Sequence, residues 1–428
     1  MAIKSTASLQ GSRYRILLVV SLILVVVGLV SLLAYSFLAA DAGSIRVKTA
    51  SELRDAVNNA EVGVHIDIAL TMDISVGSAL SIPPGTNITL TSATGGMFKL
   101  IGLDGQNVIT VNDDAVLSLD GVIITHNEGD RGNGVVVNGG GTFIMLDGEI
   151  SGHNNVNARG WGGGVWINVS GVFELAGGVI SGNIATNGAG VYNEGAFKMS
   201  GGKITNNTAT HWNGYQNDGN GGGVYEGPAG SFTITNGEIS NNTATYGGGV
   251  YVITGAFSMS DGIITNNTAE QWGGGVCNYG KFNLTGGEIS GNTAAWGGGV
   301  YNRVYAMFNM FDGMITNNTA NGGGGVIAGS FRMSGGVIAN NTVDSYGGGV
   351  YVPYQGQFRM SGGEISGNTA AYGGGVAVNR SQFNMNDGLI TNNTGTKEGG
   401  GVYRWYGTLN RVGGEISGNT AEVDNDIS

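Results

Sequence analysis

Two histidines, His126 and His153, stand in equivalent places of consecutive repeats and are the first candidates for chemistry in this chain. Aligning residues 120–123 with residues 147–150 puts both in a position that later repeats fill with Asn. A neutral imidazole can ligate a metal or accept a proton near neutral pH. Two carboxylates follow the first histidine within four residues. This clustering indicates a ligand pocket or a weak metal site.

Two insertions in early turns add aromatic and charged side chains to the same edge, and the longer one covers residues 210–218. The candidate ligand-binding residues are His126, Glu128, Asp130, His153, Arg159, Trp161, His211, Trp212, Tyr215 and Asp218. The simpler interpretation is that His replaces Asn as donor and acceptor, and that insertions fall harmlessly in turns. We prefer it, because structural networks also gather such groups.

Catalysis on a glycan would need clustered carboxylates with a basic partner. Here Asp and Glu are scattered or occupy repeat positions, so the pattern predicts neither an enzyme nor a resident metal or cofactor.

A repeat of the chain must position all of these residues. Between residues 143 and 421 the pattern Gly-Gly-Gly-Val-Tyr, then Phe-x-Met-x-Gly-Gly-x-Ile-Ser/Thr-x-Asn-Thr-Ala, is written eleven times. The valines are mostly 24 or 26 residues apart. So short a unit cannot bury a core alone, and the copies must stack into a solenoid. The sequence therefore predicts an all-β, right-handed parallel β-helix of about twelve coils, ~4.8 Å apart.

Fixed spacings within the unit predict its strands. Phe and Ile are always seven residues apart, whereas the gap from Val to Phe varies, as in a surface turn. Three strands per coil follow: Val-Tyr, Phe-x-Met and x-Ile-Ser/Thr. Asn residues three positions after the Ile should form an amide ladder along the axis. They are Asn183, Asn207, Asn242, Asn267, Asn292, Asn318, Asn341, Asn368, Asn393 and Asn419.

Stacking also predicts which charges meet. The residue before the Ile is Glu in five units, and no two of these units are consecutive. Like charges one strand apart repel, so this spacing supports direct stacking. Aromatic residues flank the glycine runs, where they could stack on sugars; mutual ring packing along the axis is the preferred explanation. Asn-x-Ser/Thr motifs would allow glycosylation. Most of them, however, arise because the repeated motif contains Asn-Asn-Thr.

The N-terminal region predicts export. Residues 16–40 are almost wholly apolar, follow Lys4, Arg13 and Arg15, and are long enough to span a bilayer. We expect a cytoplasmic segment 1–15, a transmembrane signal anchor 16–40, an N-terminal cap 44–103 opened by a short helix, β-helix repeats 104–421 and an acidic tail 422–428. Cleavage near residues 40–42 would instead give a secreted protein.

Composition limits the partners. The 428 residues carry a formal charge of −12, which argues against nucleic acid. The single cysteine, Cys277, rules out an intramolecular disulfide.

The Gly-Gly-Gly-Val and Phe-x-Met-Ser motifs over residues 104–421 resemble those of adhesin-like right-handed parallel β-helix proteins. They are similar to the polymorphic outer-membrane protein repeat, although no C-terminal membrane barrel follows. The resemblance implies surface display and attachment, with a glycan or a neighbouring or host cell surface as partner. The pectate lyases share this fold, but a shared fold does not carry their activity to this chain. The expected function is a membrane-anchored, non-catalytic surface protein. The alternatives are a polysaccharide-active enzyme and a subunit that self-associates end to end into filaments.

Overall fold

The computed structural model describes residues 43–93, 96–157, 160–213 and 218–428. Val47–Ser428 form one compact unit, a right-handed parallel β-solenoid of about 14 turns. Within the described part, no helix is both long and apolar enough to cross a membrane. The predicted anchor at residues 16–40 lies outside the described residues.

One short helix precedes the coils, as the sequence predicted. It spans Ala50–Asn58, after a first strand at Ile45–Val47. The Thr49 hydroxyl accepts a hydrogen bond from the Glu52 backbone N–H at 3.2 Å, which caps the helix N-terminus. Leu53 and Val57 lie one turn apart on the same side and are fully buried in the solenoid core. The helix therefore covers apolar side chains at the first coils.

Each full coil has four faces, named here by their repeated residue. The valine face follows the glycine run, and its short strands are Leu80–Ile82, Ile109–Val111, Val135–Val137, Val165–Ile167, Val191–Asn193, Val224–Glu226, Val250–Val252, Val276–Asn278, Val350–Val352, Val376–Asn379 and Val402–Trp405. The phenylalanine face has His65–Leu70, Asn87–Ser92, Val116–Asp120, Thr142–Met145, Val172–Leu175, Ala196–Met199, Ser231–Ile234, Ala256–Met259 and Thr408–Arg411.

The isoleucine face has Ile74–Ser75, Lys99–Ile101, Val122–Thr125, Gly148–Ser151, Val179–Ser181, Lys203–Thr205, Glu238–Ser240, Ile263–Thr265, Val337–Ala339 and Glu415–Ser417. Five longer strands continue from one of these faces to the next: Lys281–Ser290, Val300–Thr316, Val326–Met333, Gln357–Ser366 and Gln382–Thr391. The three faces form one continuous parallel sheet.

The fourth face, the threonine face, is a separate sheet of eleven strands. They are Asn154–Asn155, Ile184–Ala185, Thr208–Ala209, Thr243–Tyr246, Thr268–Trp272, Thr293–Trp296, Thr319–Gly322, Thr342–Val343, Thr369–Tyr372, Thr394–Glu398 and Thr420–Val423. The prediction of three strands per coil was therefore one strand short. The residue before each ladder Asn has a positive φ, such as 56° at Asn206 and 65° at Gly291, which turns the chain into this extra strand.

Equivalent side chains stack in register, as predicted. Phe143 pairs with Phe173 and Phe308 with Phe331, and ten buried phenylalanines form one column with ring centroids 4.6 to 5.0 Å apart. The residues that precede the Ile of each unit also stack in register, as predicted. Lys203 is the register partner of Glu238 and binds its carboxylate at 2.9 Å. This ring spacing matches the distance between hydrogen-bonded strands.

The Asn ladder is confirmed over all ten predicted residues. Asn292, for example, donates its amide N–H groups to the Ile264 carbonyl at 2.9 Å and to the Asn318 side-chain oxygen at 3.0 Å. Its backbone N–H donates to the same Asn318 oxygen at 2.9 Å. Each ladder Asn thus joins the coil before it to the coil after it, and these side chains are buried.

The solenoid has about 14 turns rather than twelve, because coils form before the repeated text begins. His65–Leu70 pairs with Asn87–Ser92, which pairs with Val116–Asp120, all in parallel. The inward position of the Phe column is Ile or Leu there, as at Ile88 and Leu117. Alternating apolar residues suffice for a coil, so parallel pairing already links these first strands.

Candidate functional site

His126 and His153 meet in the solenoid interior. Their Nδ1 atoms are 2.7 Å apart, and the rings form an edge-to-face pair with centroids 4.9 Å apart. His126 Nε2 lies 3.0 Å from the Gln106 carbonyl, and His153 Nε2 lies 3.1 Å from the Ile124 carbonyl. Both side chains are buried, so the pair is closed to a ligand from solvent.

His153 extends the Asn ladder by one step, and the His126 ring packs against it. His153 Nε2 faces the Ile124 carbonyl as Asn183 Nδ2 faces the Ile150 carbonyl, and the His153 backbone N–H donates to Asn183 Oδ1 at 3.2 Å. The interpretation of His as a substitute for Asn therefore accounts for these contacts. The alignment behind it was one residue off, however, since Ile124 rather than Ile123 pairs with Ile150. Val122 and Ile124 both point inward, and this burial sets the register.

The histidine pair has one proton too few when neutral. Both Nε2 atoms face carbonyl oxygens, which only accept, so these contacts need two protons, and the Nδ1–Nδ1 contact needs a third. Two neutral imidazoles carry only two. Burial lowers the pKa of His126, and burial together with the neighbouring ring lowers the pKa of His153 to about 3. The pair therefore stays neutral near pH 7 with one unsatisfied contact.

Most of the other described site residues make contacts of their own, although the charge of Asp130 acts on His126. Glu128 is exposed, and Asp130 is half-buried, where it accepts a 3.2 Å hydrogen bond from Asn127. Trp161 stacks on Tyr192 with ring centroids 5.4 Å apart. Arg159 and Tyr215 lie outside the described residues.

His211, Trp212 and Asp218 belong to the long insertion. His211 Nε2 lies 3.0 Å from the Thr245 hydroxyl of the threonine face. Burial raises the pKa of Asp218, while His211 and the Trp212 backbone N–H favour its charged form. These three residues thus form a local polar cluster with Thr245. Among the described residues, no group of three or more His, Cys, Asp or Glu side chains could hold a metal ion.

The aromatic residues beside the glycine runs mostly pack on one another, as the preferred explanation expected. Tyr192 stacks on Tyr225, with centroids 4.6 Å apart, and Tyr225 on Tyr251. Cys277 occupies the next place in this column and is fully buried, where burial raises the pKa of its thiol. These rings belong to the packing of the solenoid and offer little face to a ligand.

A different set of aromatic residues is exposed, at the turns between the valine and phenylalanine faces. The exposed fractions are 85% for Tyr305, 62% for Tyr354 and 78% for Tyr406. Tyr305 has a φ of 73° and Tyr406 a φ of 53°, both in the left-handed region that bulky side chains avoid. These residues could not be predicted from the sequence, because the number of residues between Val and Phe varies. No residue type in that segment marks which position has a positive φ.

Cationic side chains accompany the exposed rings. The Arg303 guanidinium lies 4.7 Å from the centroid of Tyr279, and the Arg380 guanidinium lies 5.5 Å from that of Tyr406. Tyr305 and its neighbours line an open cleft of about 410 Å³, whose lining residues are Tyr279, Arg303, Val304, Tyr305, Ala306 and Gln355. We call this edge the aromatic rim; its rings are Tyr279, Tyr305, Tyr354 and Tyr406. Exposed ring faces beside cations and amides are suited to stacking on sugar rings and to hydrogen bonding of their hydroxyls.

No protein-family model, curated protein or solved structure matches this chain. The geometry described above is therefore the basis for a functional assignment.

Proposed function

We propose that this chain is a non-catalytic, adhesin-like surface protein that binds glycan along the aromatic rim. The observation that carries the proposal is the exposure of Tyr305 and Tyr406 at positive φ. A residue held in such a conformation costs about 1–3 kcal/mol. With 85% and 78% of their surface exposed, these rings gain little packing in return. Glycine would satisfy the same turns, so the rings point to a role outside folding.

Surface display is the remaining part of the proposal. The apolar segment 16–40 after three basic residues supports an N-terminal anchor with the coils outside the cell. The resemblance of the repeats to those of adhesin-like proteins supports attachment as the role. Proteolysis of intact cells tests this directly: the coils should be digested without lysis, and protection until lysis would contradict display.

Substitution at Tyr305 separates binding from folding. Tyr305→Gly should raise the free energy of unfolding by about 1 kcal/mol, because Gly accepts positive φ. The same change should weaken binding on a glycan array several-fold. Asp114→Gly is the matched control, because Asp114 also has a positive φ (55°) in an exposed turn without an aromatic ring.

The Tyr305→Gly effects on stability and on glycan binding should have opposite signs, which distinguishes a binding role of the ring from a structural one. A variant that is more stable and binds less supports the rim as a binding surface. Unchanged glycan binding in the doubly substituted Tyr305→Gly, Tyr406→Gly chain would overturn the proposal, as would release of cleaved sugar from the array by the unmodified chain. Filaments in electron micrographs without any glycan binding would favour end-to-end assembly instead.

A further inference from the structure

Two arginines face solvent side by side without a counter-charge. Arg332 and Arg359 are register partners on neighbouring strands of the phenylalanine face, and both are exposed. The ion pairs of the described residues are His65–Asp67, Lys198–Glu174 and Lys203–Glu238, and neither arginine takes part in them. Like charges directly opposite on adjacent strands destabilise a sheet.

The same column shows how the chain treats cations elsewhere. Lys198 stands in this outward column and binds Glu174, one coil earlier, at 2.8 Å. Around the arginines, the preceding coil offers Asn309 and the following coil offers Asn384. Neutral amides thus occupy both places where a carboxylate would offset the charge. The two positive charges are therefore available to an anionic group of a ligand.

Both arginines line one cleft. Its volume is about 280 Å³, and its lining residues are Asn309, Phe311, Arg332, Met333, Ser334, Arg359 and Ser361. This volume is close to the lower end of small-molecule sites, about 300–1,000 Å³. The Phe311 ring is 53% exposed and gives the cleft an apolar side. Cations, hydroxyls and an open ring face together suit an acidic sugar unit.

Asp312 and Asp387 lie on the flanking coils and Glu364 lies on the coil of Arg359. None of these described carboxylates forms an ion pair with either arginine. Asp312 and Asp387 stand at the corner before the isoleucine face, and each accepts a 2.8 Å hydrogen bond from the N–H of its own following glycine. Guanidinium groups bind carboxylate, sulfate or phosphate oxygens through paired N–H groups, so two of them can hold one anionic group from both sides.

We propose that Arg332 and Arg359 form an anion clamp for a carboxylate or sulfate group of an acidic polysaccharide. This assignment rests on the proposed glycan-binding function and specifies the class of glycan. The clamp shares its coils with the aromatic rim: Tyr305 precedes Asn309 by four residues, so the two residues are at most about 14 Å apart. A polysaccharide lying across these coils can therefore stack on the rim and place its charge in the clamp.

Three forms of one polymer test the clamp: dextran, carboxymethyl-dextran and dextran sulfate. The full-length chain should bind one or both charged forms more tightly than dextran, and the preference should fall as salt rises from about 50 to about 500 mM. The doubly substituted Arg332→Gln, Arg359→Gln chain should bind the preferred charged form about tenfold more weakly, equivalent to ~1.4 kcal/mol. Its binding to dextran should not change.

Lys281→Gln is the matched control, because Lys281 is an exposed cation on the same face two coils earlier. It should retain the charged preference. The two charged polymers distinguish a carboxylate site from a sulfate site.

Equal binding of all three polymers by the unmodified chain would overturn the clamp, as would an arginine double variant that keeps the charged preference. Equal affinity for single-stranded DNA of similar charge would overturn the assignment to glycan. If Tyr305→Gly still weakens binding to neutral glycans, only the clamp has failed. If the unmodified chain binds no glycan, the proposed function has failed with it.

Discussion

Glu226 should make the stability of the solenoid fall as pH rises. Its carboxyl is fully buried on the inward side of the valine face, between Asn193 and Val252 in neighbouring coils. One oxygen accepts a 2.6 Å hydrogen bond from Asn193, whereas the other has no partner. Burial raises the pKa of Glu226 from 4.5 to about 8, despite the opposing effect of the Asn193 hydrogen bond. The folded state therefore binds the proton more tightly than the unfolded chain.

The sign and the size of the effect follow from this difference. The contribution of Glu226 to stability is greatest below pH 4.5, where both states are protonated, and is lost between about pH 4.5 and pH 8. A difference of about 3.5 pKa units corresponds to ~5 kcal/mol in full, of which ~3 kcal/mol is already lost at pH 7 and ~4 kcal/mol at pH 8.

Glu226→Val removes the titrating group and continues the column formed by Val252. Asn193 keeps a second acceptor, since it also donates to the Ser231 carbonyl at 3.2 Å. Denaturant unfolding of the variant and the unmodified chain at pH 4.5, 6, 7 and 8 measures the difference at each pH. We expect the variant to become more stable than the unmodified chain as pH rises, by about 3–5 kcal/mol at pH 8.

Glu194→Gln is the control, because it removes a half-buried carboxylate that follows Asn193, one coil before Glu226. Its difference from the unmodified chain should vary little with pH. A Glu226→Val difference that is the same at all four pH values would refute the reasoning.

Three further predictions concern single side chains. His153→Asn should stabilise the chain by about 1–3 kcal/mol, because Asn supplies the missing donor. The pKa of His153 is lowered, so its contribution to stability is lost as pH falls from 6.5 toward 3, and the stability advantage of the variant should grow over that range in urea titrations at both ends. Asn292→Ala should cost at least about 3 kcal/mol by thermal or denaturant unfolding, because several buried groups lose partners. Asn266→Gly, at an exposed corner with a φ of 55°, is its control and should be nearly neutral. Lys203→Gln should cost no more than about 1 kcal/mol, since Lys203 and Glu238 form a partly exposed pair, and a larger loss would contradict this estimate.

Much of the fold could be predicted, because residues at equivalent positions of successive repeats must contact one another when the coils stack. The fixed interval from Phe to Ile gave the inward columns, and the recurring Asn gave the ladder, both now seen in register. The threonine face was not predicted, because its strands are short and each follows a corner residue with a positive φ. In the Asn-Asn-Thr motif the only sign of that corner is the first Asn, a residue type that tolerates positive φ. The first coils were missed because they carry only alternating Ile and Leu.

The candidate binding surface was harder to predict than the fold. Histidine clustering drew attention to His126 and His153, yet the register places both rings in the interior. The aromatic rim depends on backbone angles at turns of variable length, which residue spacing does not reveal. The arginine pair could have been found, because the variable position of Phe-x-Met contains Arg332 and then Arg359 in successive units.

Distances between spin labels on the threonine face test the stacking of the coils most directly. In a Cys277→Ala background, one sample carries labels at positions 268 and 369, four coils apart, and a second carries them at 243 and 394, six coils apart. Pulsed electron resonance should give separations of about 19 Å and about 29 Å, growing by ~4.8 Å per coil. Distances that are broad, or that do not grow in proportion to the number of coils, would contradict a parallel solenoid with each unit directly above the last.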